Sequence, residues 1–91
     1  MLQEMLQQAS TFEESGRLDL ALKIYDVALT LLPTTSTEAA AGILLRRGRL
    51  RYRLNNHQGA MDDLRKAIDM APRLASTLTG EFSKFYKESC H

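Results

Sequence analysis

The sequence predicts an all-α fold in which antiparallel helical hairpins stack on one another, and two observations predict it. The first is a set of residues that occurs twice at a constant offset of 39 positions. The second is that apolar residues within each copy are spaced by three and four, as on one face of an α-helix. The repeated positions are Ala9, Ala21, Tyr25, Ala28 and Pro33, which align with Gly48, Ala60, Leu64, Ala67 and Pro72. Because stacked hairpins present a continuous surface, this pattern is typical of a binding module.

The first copy predicts two helices. One spans about residues 2–15, because apolar side chains recur there at helical spacing, and Gly16 ends it by tolerating a positive φ. The second spans about residues 19–32 and stops at Pro33, which lacks the backbone N–H that continues a helix.

The second copy begins with a predicted N-terminal cap. Thr35 precedes Glu38 by three residues, the spacing of a capping box. We therefore expect a third helix over about residues 37–54. Asn55 and Asn56 end it, because asparagine tolerates left-handed backbone geometry.

A fourth helix is predicted over about residues 58–71, ahead of Pro72, and a fifth over about 74–89. The fifth contains an apolar stripe, which Gly80 weakens by about 1 kcal/mol relative to alanine. The stripe residues are Leu74, Leu78, Phe82 and Phe85. This segment is either a capping helix over the last repeat or the first helix of a third, truncated repeat.

The residues at the repeated positions resemble the tetratricopeptide repeat. That family places a large and then a small residue in the first helix, alanine, an aromatic and alanine in the second, and a closing proline. The first copy supplies Met5, Ala9, Phe12, Ala21, Tyr25, Ala28 and Pro33, and the second supplies Leu44, Gly48, Ala60, Leu64, Ala67 and Pro72. The family period is about 34 residues, so about five extra residues are expected within 34–39.

The resemblance implies one domain, residues 1–91, built as a right-handed stack of about five helices. Repeat one covers about residues 2–33, repeat two about 40–72, and the capping helix about 74–89. The chain could also be part of a longer array, since such arrays usually hold three or more repeats. A three-helix bundle of the microtubule-interacting-and-trafficking type is a poorer alternative, because it does not use the second copy.

The resemblance further implies that the first helix of each pair lines a concave groove. The groove positions in this chain are Gln3, Leu6, Gln7, Ser10, Glu13 and Glu14, then Leu45, Arg46, Arg49, Tyr52 and Arg53, with Ser83, Tyr86 and Lys87 if the fifth helix continues the register. The family's carboxylate clamp for chaperone tails is absent, because Leu6, Ser10 and Arg46 occupy its positions. We expect an acidic peptide or partner helix as the ligand.

Five of the eleven residues from position 44 to position 54 are arginine. Arg46, Arg49 and Arg53 are spaced by three and four and share one helix face with Tyr52. Their guanidinium groups are suited to binding carboxylates in bidentate geometry. A solvated face paired with local acids is the alternative. Arg47 and Arg51 lie on another face, where the repeat pattern expects apolar residues. We predict that Arg47 forms a partly buried structural ion pair with Asp63.

Composition favours neither nucleic acid nor a membrane as the partner. The net charge is +1, and no apolar run approaches the roughly 18 residues of a membrane span. Cys90 is the only cysteine, which fits the cytoplasm or another reducing compartment. His57 and His91 have no ligand partners at metal spacing. We therefore expect neither an enzyme nor a bound cofactor or metal.

Two other functions are weighed against peptide binding. Self-association as a homodimer would bury Phe82, Phe85 and Tyr86 at an exposed repeat edge. Nucleic-acid binding would use the arginine-rich third helix with Tyr52, and it is disfavoured by the near-neutral charge of the whole chain.

Overall fold

The computed structural model describes residues 2–33, 36–78 and 80–89. These residues form five α-helices and one 3-10 helix, without any strand, so the predicted all-α class is confirmed. The elements are α1 (Leu2–Glu14), α2 (Leu18–Leu31), α3 (Thr37–Arg53), α4 (His57–Met70) and α5 (Gly80–Ser89), with the 3-10 helix Pro72–Thr77 between α4 and α5. None of the described helices has the length and apolar character that crossing a membrane requires.

The helices pack as two hairpins, α1 on α2 and α3 on α4, and α2 joins them by packing against α3. Apart from Pro33 and Pro72, which are exposed, the repeated positions are buried in both hairpins. They are Ala9, Ala21, Tyr25 and Ala28 in the first and Gly48, Ala60, Leu64 and Ala67 in the second. The small residues let paired helices approach closely, while Tyr25 and Leu64 fill equivalent interior positions. The repeat in the sequence is therefore a repeat of interior contacts.

The hairpin turns use the left-handed residues that the sequence predicts. Gly16 has φ of 83° and Asn55 has φ of 65°. Asn56 has a second role, because its side chain accepts a hydrogen bond from the backbone N–H of Gly59 at 3.1 Å and so caps α4. The two asparagines thus end one helix and begin the next.

Of the two residues in the predicted capping box at the start of α3, the structure describes Glu38. The N-cap residue is Ser36, which makes no side-chain cap hydrogen bond, and Thr35 lies outside the described residues. The Glu38 carboxylate pairs with the guanidinium of Arg73, whose Nε donates to Oε1 at 2.9 Å. This ion pair joins the first turn of α3 to the segment after α4.

The prediction of one continuous fifth helix is wrong. Leu78 is extended, with φ of −69° and ψ of 134°, and it separates the 3-10 helix from α5. This break places the Leu78 side chain in a buried cluster with Met61 and Leu64 of α4. Burial of that side chain offsets the loss of helical hydrogen bonds, and α5 then starts afresh at Gly80.

Candidate functional site

An open cavity of about 600 Å³ lies between one face of α1 and the middle of α3. Its walls are mostly polar, with one apolar side chain and one cation. They are formed by Gln3, Leu6, Gln7, Ser10 and Thr11 from α1 and by Arg46 from α3. Helical spacing puts the five α1 residues on one side of that helix, and packing of the second hairpin on the first brings Arg46 opposite them. The structure therefore brings together five residues of the predicted groove, which are Gln3, Leu6, Gln7, Ser10 and Arg46.

The Tyr25 hydroxyl is hydrogen-bonded to Glu13, another residue of the predicted groove. The Tyr25 side chain is fully buried, and its hydroxyl donates a hydrogen bond to Glu13 Oε2 at 2.5 Å. Burial of the ring, and after it the hydrogen bond and negative charge of Glu13, raise the pKa of Tyr25 to about 12, whereas Arg46 partly lowers it.

The five arginines of α3 separate into two sets by exposure. Arg46, Arg49 and Arg53 are exposed. Arg47 and Arg51 are half-buried, with 18% and 25% of their side chains exposed. The two helix faces that the arginine spacing predicts thus lie in different environments. One face is exposed to solvent, and the other packs between helices.

The buried set is neutralised by aspartates from both neighbouring helices. Arg47 donates to Asp63 through Nε at 2.9 Å and through Nη2 at 2.8 Å, and through Nη1 to Asp26 at 2.7 Å. Arg51 Nη1 lies 3.4 Å from the same Asp63 carboxylate. The hydrogen bond with Asp63 is the main cause that raises the pKa of Arg47, against its burial. The predicted ion pair between Arg47 and Asp63 is present, within a network that joins α2, α3 and α4.

The sequence reasoning missed Asp26 and Arg51 as members of this network. Asp26 follows the repeated residue Tyr25, so its position on α2 was known, but its contact with α3 depends on how the two hairpins dock. The available signal was Arg51 itself, which lies one helical turn after Arg47 on the same face.

A second group of predicted groove residues packs inside the chain. Leu45, Tyr52 and Tyr86 contact the apolar cluster formed with α4. The Tyr52 ring stacks on His57 with centroids 4.9 Å apart and lies 4.7 Å from the ring of Phe85. These side chains hold α5 against α3 and α4. Lys87 is exposed on α5, away from the cavity beside α1.

The described residues offer no cluster of three His, Cys, Asp or Glu side chains that could hold a metal ion. Cys90 and His91 lie outside them. The adjacent Asp62 and Asp63 face different environments, since Asp62 is exposed and hydrogen-bonded to Gln58 while Asp63 is buried between arginines. They do not form a shared acid–base pair.

Comparison with protein-family models, curated proteins and solved structures gives no match for this chain. The tetratricopeptide identity suggested by the repeated residues stays a prediction. The function proposed for this chain therefore depends on the geometry of α1 and α3.

Proposed function

We propose that this protein is a tetratricopeptide-like interaction scaffold that binds an acidic segment of another protein along the exposed faces of α1 and α3. The observation that supports it most is the separation of the α3 arginines. Aspartates pair with Arg47 and Arg51 between the helices, while Arg46, Arg49 and Arg53 are exposed on a different face of α3. A guanidinium is suited to bidentate recognition of a carboxylate.

The spacing of the exposed arginines fits a short acidic segment. A helix rises about 1.5 Å per residue, so the backbone positions of Arg46 and Arg53 are about 10 Å apart along α3. In an extended peptide, side chains on one side recur every second residue, about 7 Å apart. Two or three alternating carboxylates therefore span the arginine row. An amphipathic partner helix with acidic residues three and four apart would also match it.

The two other functions receive less support from the described residues. Nucleic-acid binding gains from many accessible cations, but two of the five arginines are held by Asp63 and Asp26. Self-association through the C-terminal aromatic residues is weakened because Phe85 and Tyr86 pack on the apolar cluster of their own chain. The side chain of Phe82 is not among those that the structure describes.

The proposal includes no catalytic step and no cofactor. It places the protein in the cytoplasm or another reducing compartment, because its single cysteine cannot form an internal disulfide.

The test is affinity capture from cell extract with three proteins of verified helical content. They are the wild type, a variant with Arg46→Glu, Arg49→Glu and Arg53→Glu, and a control variant with Arg17→Glu, Lys23→Glu and Lys66→Glu. Both variants change the net charge equally, so they differ only in where the charge is reversed. We expect partners that the wild type and the control retain and the α3 variant loses. Equal loss in both variants, or no loss in either, would contradict the proposed surface.

Captured partners are then purified and titrated against salt, in parallel with a single-stranded oligonucleotide. We expect the protein partner to bind more tightly than the oligonucleotide. The reverse order, with a steep dependence on salt, would assign the surface to nucleic acid instead.

A further inference from the structure

One face of α2 carries apolar side chains that the core of the first hairpin does not enclose. Val27 and Leu31 are 48% and 59% exposed, and they are two of the three large apolar side chains that are exposed among the described residues. Leu20 and Ile24 share their helix face, because steps of four, three and four residues return to one side of a helix. We call Leu20, Ile24, Val27 and Leu31 the α2 stripe. Ile24 packs against the core, whereas the other three belong to none of the described apolar clusters.

The repeat itself does not require apolar residues at these positions. The equivalent residues of α4, 39 positions later, are Gly59, Asp63, Lys66 and Met70. Asp63 is paired with Arg47, and Lys66 is exposed. The second hairpin thus forms with charged residues where the first has Ile24 and Val27. Packing within a hairpin therefore does not explain the α2 stripe.

The α2 stripe lies at the uncovered edge of the stack. On the opposite side of α2, Leu29 packs against the cluster that contains Ala41 and Leu44 of α3, so the stripe faces away from the second hairpin. At the other edge, Leu78 and Phe85 cover α4. A head-to-tail stack of copies would need both edges open. An isologous contact, in which two copies use the same α2 edge, needs only the uncovered one.

The order of the apolar residues along α2 suits a second copy of the same helix. Steps of four, three and four read the same from either end of the stripe. An antiparallel copy therefore places Leu20 opposite Leu31 of the other copy, and Ile24 opposite Val27. A two-fold axis across the middle of the stripe produces this arrangement, and it is the symmetry of an isologous dimer.

The charges beside the α2 stripe favour the same antiparallel arrangement. Asp19, Lys23 and Asp26 are exposed along one flank of the stripe, with alternating sign. In the antiparallel pair, Lys23 of one copy lies about 3 Å along the helix axis from Asp26 of the other. Asp26 binds Arg47 through Oδ1 and still has 49% of its side chain exposed. In a parallel pair, each charge would instead face its own equivalent and be repelled.

We propose that the α2 stripe is the interface of a two-fold symmetric dimer of this chain, with antiparallel α2 helices and with Lys23 of each copy paired with Asp26 of the other. The inference does not depend on the acidic ligand, because the exposed arginines belong to α3. The face of α2, 14 residues long, is about 21 Å by about 10 Å. It is smaller than the roughly 800 Å² per partner of a standard interface. The dimer is therefore reversible, with a dissociation constant above about 1 μM.

Sedimentation equilibrium from about 10 μM to about 1 mM tests this dimer, since a small interface is populated only at high concentration. A reductant keeps Cys90 from linking copies. Val27→Lys installs the residue that α4 has at the equivalent position, so the fold should accept it. Leu54→Lys is the matched control, because it adds the same charge at the third exposed apolar residue, which is 42% exposed and outside the α2 stripe. We expect Val27→Lys to weaken dimerisation about tenfold or more, and Leu54→Lys to leave it unchanged.

Three results would overturn the inference. The first is a wild type that stays monomeric over the whole range. The second is a dimer that Val27→Lys retains, which would place the interface elsewhere. The third is equal weakening by Val27→Lys and Leu54→Lys, which would indicate general hydrophobic association. Oligomers that keep growing with concentration would also contradict a closed two-fold contact.

Lys23→Glu tests the arrangement of the two helices separately. The side chain is exposed, so circular dichroism should show unchanged helical content. In the antiparallel dimer the new carboxylate lies beside Asp26 of the other copy, and we expect dimerisation to weaken about threefold to tenfold. High salt should reduce the difference from the wild type, because salt screens exposed charges. Dimerisation as strong as in the wild type would overturn the antiparallel pairing.

Discussion

Arg47 and Asp63 face each other across the α3–α4 interface in a bidentate ion pair, with donor–acceptor distances of 2.9 and 2.8 Å. Asp63 has 3% of its surface exposed, so its charge is held almost entirely by protein groups. An isolated charge at such depth would be strongly unfavourable. The pair consequently requires both members, and it makes helices α3 and α4 depend on one another.

Loss of one member of this pair should be costly. Among the described residues, Arg47→Leu leaves Asp63 with the longer contact to Arg51 at 3.4 Å. We expect about 3 kcal/mol of destabilisation, the lower end for a broken buried pair. Combining it with Asp63→Leu should recover most of that loss, since an apolar pair of similar volume is often neutral or stabilising. Urea unfolding followed by circular dichroism measures both. An unchanged midpoint for Arg47→Leu would refute the structural role of the pair.

The matched control for this experiment is the exposed pair of Arg73 and Glu38. Both side chains are more than half in solvent, at 72% and 61% exposure. Solvent and salt screen such a pair. Arg73→Ala should therefore have a much smaller effect on unfolding than Arg47→Leu.

The sequence predicted interior contacts within a repeat better than contacts between repeats. The pair of Arg47 and Asp63 followed from an arginine at a position where the repeat pattern expects an apolar residue, and from an aspartate on the side of the fourth helix that should meet the third. The contact of Arg47 with Asp26 did not follow. It depends on the angle at which the second hairpin docks on the first, which helix periodicity does not specify.

The C-terminal region was also predicted incompletely. In a straight helix over residues 74–89, helical periodicity decides which face each side chain lies on. The extended conformation of Leu78 interrupts this periodicity, so the residues after it lie on different faces than predicted. The sequence predicts Tyr52 in an open groove, because no residue of α3 itself indicates that the Phe85 ring packs against it. The ring contact of 4.7 Å is a tertiary contact between residues 33 positions apart.

Stability should depend on pH through Tyr25. Its pKa is raised to about 12 in the folded chain, from an unfolded value of about 10. The folded state thus binds this proton more tightly, and the resulting stabilisation is complete below pH about 10 and is lost as the pH rises toward about 12. Urea unfolding across this window should show the wild type losing its advantage over Tyr25→Phe. A constant difference between the two proteins would contradict the raised pKa.

Two glycines within helices should respond differently to substitution by alanine. A methyl group at Gly42 would meet no atom within 4 Å, so Gly42→Ala should stabilise the protein by about 0.5–1 kcal/mol through helix propensity. At Gly59 the methyl would lie 2.5 Å from Asn56 Nδ2 and 3.0 Å from Arg51 Cδ. It would displace the Asn56 cap, which is worth about 1 kcal/mol. Gly59→Ala should therefore give no gain in urea unfolding, and equal gains at both positions would disprove the argument.

Removal of the Phe85 ring should release α5 while α1 to α4 stay folded. Among the described side chains of α5, Phe85 and Tyr86 are the ones in the apolar cluster with Met61 and Leu64. Ten residues are too few for a stable helix in isolation, which needs about 12–15. Phe85→Ala should therefore expose the amides of α5 to fast hydrogen exchange and leave those of α2 and α3 protected. Lys84→Ala is the control, because that side chain is exposed on the same helix. If both variants keep α5 protected, its docking does not depend on the aromatic contact. If Phe85→Ala instead unfolds the whole chain, α5 is an integral part of the core.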